Sequence, residues 1–158
     1  MVFVGSRRAL LQSIPKYGPL TPNQATCTNA LKNTTGWDVL STASISSTTE
    51  TAYIKDRSLK IVTAGTNNYE GATTILIPCG PRTHKITAYA KAPLGATYRM
   101  LLTGSAGSTG VILNTGTGDW QEITKEITTT TDTSFRVQFY TFTTIQAITM
   151  NIGKLIYS

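Results

Sequence analysis

From Trp37 to the end of the chain, apolar and polar residues alternate in short runs, the period of a half-buried β-strand. Ala43 and Ile45 share one face with Ser44 and Ser46 opposite, and Leu59 and Ile61 flank Lys60. Thr73, Ile75 and Ile77 continue the pattern until Pro78. In HKITAYAK the division is sharpest: Ile86, Ala88 and Ala90 point one way, and Lys85, Thr87, Tyr89 and Lys91 the other. Tyr98, Met100 and Leu102 follow, then Val111 and Leu113, then Phe135, Val137 and Phe139 opposite Arg136, Gln138 and Tyr140. The last run buries Ile148, Met150 and Ile152, and its apolar register then moves to Leu155 and Tyr157 beyond Gly153. A one-residue switch at a glycine predicts a β-bulge.

Turn residues separate these runs at Ala64-Gly65, Asn67-Asn68, Pro93-Leu94-Gly95, Gly104 to Gly110 and Gly116 to Asp119. Roughly eight to ten short strands at this spacing predict an all-β fold. The expected architecture is a jelly-roll β-sandwich of two antiparallel sheets with an extended N-terminal arm, and no helix beyond a turn. Trp37 is expected on the first core strand, just after a turn at Gly36. One position departs from the pattern: Lys125 falls between Ile123 and Ile127, which define an inward face. Either it lies on a twisted edge strand with its stem along apolar surface and its ammonium in water, or that sheet face is open and forms a binding groove.

The first residues follow different rules. Pro15, Pro19 and Pro22, with Gly5 and Gly18, argue against continuous helix or central strand. The chain therefore divides into an extended basic arm, 1–25, and a domain, 26–158. Of 14 basic residues against 8 acidic ones, Arg7, Arg8, Lys16 and Lys32 all precede Asp38, the first carboxylate. The formal charge of +6 is thus concentrated at the front of the chain. The arm's expected role is to contact a protein partner through Phe3, Arg7, Arg8, Lys16 and Tyr17, the arginines pairing with carboxylates. The same few charges make too small a footprint for nucleic acid.

No stretch approaches the roughly 20 apolar residues of a membrane-spanning helix, so no membrane partner is expected. In MVFVGSRRALLQSIP the charges follow the apolar run, which argues against a secretion signal and for a product made in the cytoplasm. At 158 residues the chain can bury a core without disulfides. Cys27 and Cys79 are expected to be reduced packing residues, with a disulfide between them as the alternative.

Catalytic chemistry has little to work with. His84 is the sole histidine and begins a strand without an accompanying nucleophile signature, so it reads as a packing or surface residue. Glu122 and Glu126 share a face but stand about 13 Å apart, four residues at about 3.3 Å each. That exceeds the roughly 5–9.5 Å of glycosidase carboxylate pairs. Gly116 to Asp119 lacks the helix that a phosphate loop needs. No enzyme, cofactor or metal is expected. Sugar binding needs flat exposed rings with polar groups nearby, and the candidates are Tyr69, Tyr89, Tyr140 and Trp120. Trp37 and Trp120 follow turn residues, a position that more often makes a core lid.

The order of landmarks carries a resemblance. A Cys27-Thr28-Asn29 segment leads to Thr34-Thr35-Gly36-Trp37. AYIKDRSLKIVTAG, ITAYAKAP, GTGDWQEIT and a final apolar strand then follow. Over residues 25 to 158 this resembles the jelly-roll carbohydrate-binding-module family, which includes cellulose- and xylan-binding modules, and in particular its variants in minor structural proteins of tailed bacteriophages. The resemblance implies a non-enzymatic virion protein, above all a capsid decoration or cement protein. It would dock by its arm and sandwich edge onto the major capsid protein or tail subunits, as a homo-oligomer or bound to the lattice. The alternative is a module, borne on capsid or tail, that attaches the particle to a host cell-surface glycan. Leu31-Lys32 and Asn151 fall where the family's acidic calcium-binding residues stand, and a lysine there is incompatible with a hard cation. No calcium is expected at that place.

Overall fold

The computed structural model describes residues 34, 36–53, 57–104, 107–142 and 145–157, the side chains of 107–111 excepted. The expected arm contacts Phe3, Arg7, Arg8, Lys16 and Tyr17, together with Cys27 and Leu31-Lys32, lie outside the described residues.

Eleven strands follow one another: β1 (Trp37–Leu40), β2 (Ser44–Thr48), β3 (Ser58–Val62), β4 (Gly71–Thr74), β5 (Ile77–Cys79), β6 (Thr83–Lys91), β7 (Thr97–Gly104), β8 (Gly107–Thr115), β9 (Trp120–Thr128), β10 (Thr133–Tyr140) and β11 (Thr149–Tyr157). They form two antiparallel sheets. One runs β1-β4-β10-β7-β8, with β5 also paired to β10, and the other runs β2-β3-β11-β6-β9. Their inner faces enclose one core, in which Leu59, Ile61, Ile86, Tyr98, Met100, Leu102, Val137, Phe139 and Ile152 are fully buried. Each such aliphatic side chain contributes about 1.5–3 kcal/mol relative to exposure. No described residue is helical.

Trp37 opens β1 as expected. Gly36 takes a φ of 85°, the Trp37 N–H donates to the Thr34 carbonyl at 3.1 Å, and the indole is buried 6.2 Å from the Phe139 ring. The bulge also falls where the alternation predicts it. On β11 the pairing with β6 shifts between Ile152 and Lys154, so Met150 and Ile152 before it and Leu155 and Tyr157 after it all face the core.

Two expectations fail. The run through Thr73, Ile75 and Ile77 is not one strand. It breaks after Thr74, whose hydroxyl takes the Val137 N–H at 3.0 Å, while the Ile75 N–H turns to the Gly36 carbonyl. Ile75 and Leu76 are half exposed, and Pro78 lies inside the edge strand β5 instead of ending a strand, a place where its missing donor faces no neighbour. On β8, Leu113 points outward at 58% exposure, and its neighbour Ile112 packs on the core. Val111-Ile112-Leu113 is a continuous apolar run with no period of its own. The pairing of Ile112 with the buried Met100 decides which residue turns inward.

Candidate carbohydrate-binding face

The site grows from the loop between β3 and β4. Glu70, at its end, is fully buried, and its carboxylate accepts the backbone N–H groups of Gly65 (2.8 Å), Thr66 (2.9 Å) and Asn67 (2.8 Å). The hydroxyls of Thr42 (2.6 Å) and Thr66 (2.8 Å) complete the cage. Burial pushes the carboxyl's pKa up, but the bonds from Thr42, Thr66 and Gly65 together outweigh it and hold the group well below the usual carboxylate range. The loop turns at Gly65, where φ is +69° and any side chain would strike the Ala147 backbone. The next residue in line with this cage is Tyr69. Its backbone takes a φ of 64°, and its N–H is tied to the Thr141 carbonyl at 2.8 Å.

So held, the Tyr69 ring stands over the outer face of the β1-β4-β10-β7-β8 sheet. It lies 5.4 Å from the ring of Tyr140 and 4.9 Å from that of Phe142. Tyr69 is 51% exposed, whereas Tyr140 is 2% exposed. The expected sugar platform at Tyr140 is therefore a floor: it sits on the predicted face, but Tyr69 and Phe142 roof it over. The Arg99 guanidinium, one strand away on β7 and paired in register with Tyr140, lies 3.5 Å above the Phe142 ring, a cation–π contact.

Further along β10, Gln138 and Arg136 project from the same face as Tyr140 at two-residue spacing. With Leu76, Thr103 and Gly104 they line an open pocket of about 330 Å³, at the small end of the range for ligand sites. Neither Arg99 nor Arg136 has a carboxylate partner among the described residues, and the Nε of Arg99 is buried without a hydrogen bond. Asp38, on the edge strand β1 and two strands from Gln138 through Thr73, is the carboxylate of this face among the described strands. Sequence reading missed Arg99, Phe142 and Arg136. They are ordinary residues in the chain, and only the pairing of β7 with β10 brings them to one surface.

The other two predicted aromatics sit on the opposite sheet. Tyr89 stacks on Tyr53 at 4.4 Å, and Tyr53 meets Trp120 edge-on at 5.2 Å. The Tyr53 ring occupies the space left by Gly153, where a Cβ would collide with it. The Tyr89 hydroxyl donates to Glu122 at 2.7 Å, and that bond pushes its pKa up to about 12. These rings face one another and pin the loop before β3. The four candidates thus divide into two pairs on opposite sides of the sandwich, and Tyr69 alone of them presents a half-exposed ring.

The remaining candidates are structural. His84 is buried. Its Nε2 faces the Gly80 carbonyl at 2.8 Å, so that nitrogen carries the proton, and its Nδ1 accepts from the Tyr157 hydroxyl at 2.6 Å. Cys79 is buried with a free thiol, whose pKa burial pushes up. Asn151 donates its amide to Ser58 at 3.0 Å. Lys125 is half-buried on β9, the edge of its sheet, paired with the inward-facing Ile86, which supports the edge-strand reading over a groove there.

No protein-family model and no curated protein sequence matches the chain. Solved structures do. The CBM22-1 xylan-binding domain from Paenibacillus barcinonensis Xyn10C superposes with a TM-score of 0.60 at 15% identity, over 79% of this chain and 86% of that one. The CBM22-2 xylan-binding domain of the same protein gives 0.62 at 15%, over 80% and 92%. A CBM4 structure gives 0.59 at 18%, over 78% and 94%. The chain has the jelly-roll fold of carbohydrate-binding modules. In this jelly roll the aromatic cluster and the pocket share the outer face of one sheet, at opposite ends of β10.

Proposed function

We propose that the protein is a non-catalytic carbohydrate-binding module that holds a polysaccharide across the outer face of the β1-β4-β10-β7-β8 sheet. The observation that carries this reading is the Tyr69 ring, half exposed over Tyr140 and Phe142 and fixed by the Glu70 cage. A pyranose face stacks on such a ring while Gln138 and the arginines take hydroxyl oxygens. The xylan-binding domains that share the fold support the ligand class. The expectation of a virion decoration protein rests on the resemblance to phage variants of the family and on the arm, which lies outside the described residues, whereas the similar structures named above are carbohydrate-binding modules. Sugar capture is therefore the main reading.

Affinity electrophoresis in gels containing soluble plant and microbial polysaccharides tests it. At least one polymer should retard the protein, and Tyr69→Ala should abolish the retardation while Tyr89→Ala preserves it. Equal mobility in every gel, or retardation that survives Tyr69→Ala, would overturn the assignment.

A further inference from the structure

We infer that the polysaccharide of this face is acidic, its sugar carboxylates received by Arg136 in the pocket and by Arg99 beside Phe142. The inference rests on the carbohydrate-binding reading and adds the charge of the ligand.

Three observations carry it. First, the two guanidinium groups of the face are without carboxylate partners among the described residues. An arginine left unpaired on a concave, partly desolvated surface presents a planar fork of donors matched to a carboxylate. Second, the Arg99 guanidinium is already oriented. Its plane is held 3.5 Å over the Phe142 ring, and its Nε is buried with no acceptor, a donor whose desolvation the protein alone does not offset. Third, Arg136 lines the pocket of about 330 Å³ with Gln138 and Thr103, which supplies a charged group, an amide and a hydroxyl around one cavity.

The spacing suits a polymer better than a single acidic sugar. Arg99 is in register with Tyr140, and Tyr140 lies four residues from Arg136 along β10, about 13 Å at strand rise. A chain laid along β10 would meet an aromatic platform and one guanidinium at its Tyr69 end, and a second guanidinium at the pocket. Asp38, the carboxylate of this face among the described strands, stands on the outermost strand and leaves this track positive.

Binding is measured for polygalacturonate and for its carboxyl-reduced, neutral counterpart. The acidic polymer should bind about tenfold more tightly than the neutral one, the worth of one charge-assisted contact. Arg136→Gln and Arg99→Gln should each bring that acidic-to-neutral ratio towards one. An unchanged thermal melt of Arg99→Gln shows that loss of its contact with Phe142 has not disturbed the fold. Lys85→Gln removes a charge from the opposite sheet and should leave the ratio as it was. Equal affinity for the two polymers, or the same loss from Lys85→Gln as from Arg136→Gln, would overturn the inference while leaving the carbohydrate reading standing. Failure to bind either polymer, or any in the wider panel, would remove both.

Discussion

Tyr69 and Tyr140 lie one above the other, ring centroids 5.4 Å apart, and only the upper ring meets solvent. The two tyrosines should therefore answer differently to truncation. Tyr69→Ala should weaken polysaccharide binding tenfold or more and shift unfolding stability by less than about 1 kcal/mol. Tyr140→Ala empties a buried site and should cost about 3 kcal/mol or more. Urea unfolding beside binding isotherms separates the two effects, and equal destabilisation by both changes would contradict the stacking order.

The Glu70 cage makes stability depend on acid. The carboxyl's folded pKa lies below its unfolded value of about 4.3. The charged group thus stabilises the fold fully above about pH 5, and this contribution is lost as pH falls from there towards the folded pKa. Glu70→Gln removes the charge at every pH and should cost about 1.5–3 kcal/mol at pH 7. The gap between wild type and variant should narrow at pH 3. Thermal melts at the two values check this, and a gap that widened in acid would reverse the sign.

Gly153 and Tyr53 should be energetically coupled. Gly153→Ala drives a methyl group into the Tyr53 Cβ at the base of its ring and should cost about 1–3 kcal/mol. In a Tyr53→Gly background the same change should cost much less, because the obstructing Cβ and ring are both gone. A double-mutant cycle with additive energies would show that the bulge has no need of the contact.

Cys79 should resist modification. Its thiol is buried and its pKa raised, and the thiolate is the reactive form. In a Cys27→Ser background, a colorimetric thiol reagent at pH 8 should react with the native protein only at the rate of opening, and rapidly in denaturant. Immediate stoichiometric labelling of the native protein would place the sulfur at the surface.

Much of the sandwich was legible because period two is a local signal. The Ile86, Ala88, Ala90 face and the register switch at Gly153 needed nothing beyond the chain itself. The misreadings share one physical origin. Val111-Ile112-Leu113 and Ile75-Leu76-Ile77 are unbroken apolar runs, and the choice of inward residue came from partner strands, Met100 for the first and the Thr74–Val137 bond for the second. The site was less legible. Tyr69 stood out as an aromatic in a turn, but the burial of Tyr140 depends on a roof that Tyr69, from a loop distant in sequence, makes with the nearby Phe142. Arg99 and Phe142 meet only after β7 pairs with β10. Glu70 left a faint signal, an acid following a Gly-Thr-Asn turn, yet its caging role appears only when three N–H groups converge on it.

Lys125 has a consequence beyond its own strand. On the proposed function, copies of the protein gathered along one polymer would bring exposed sheet edges close together, and β9 is such an edge. A neighbouring strand docking there would have to bury an ammonium beside Ile123 and Ile127, a desolvation that opposes continued sheet growth. Dense decoration of a polymer by this protein should accordingly stay reversible, released by free ligand instead of hardening into fibrils.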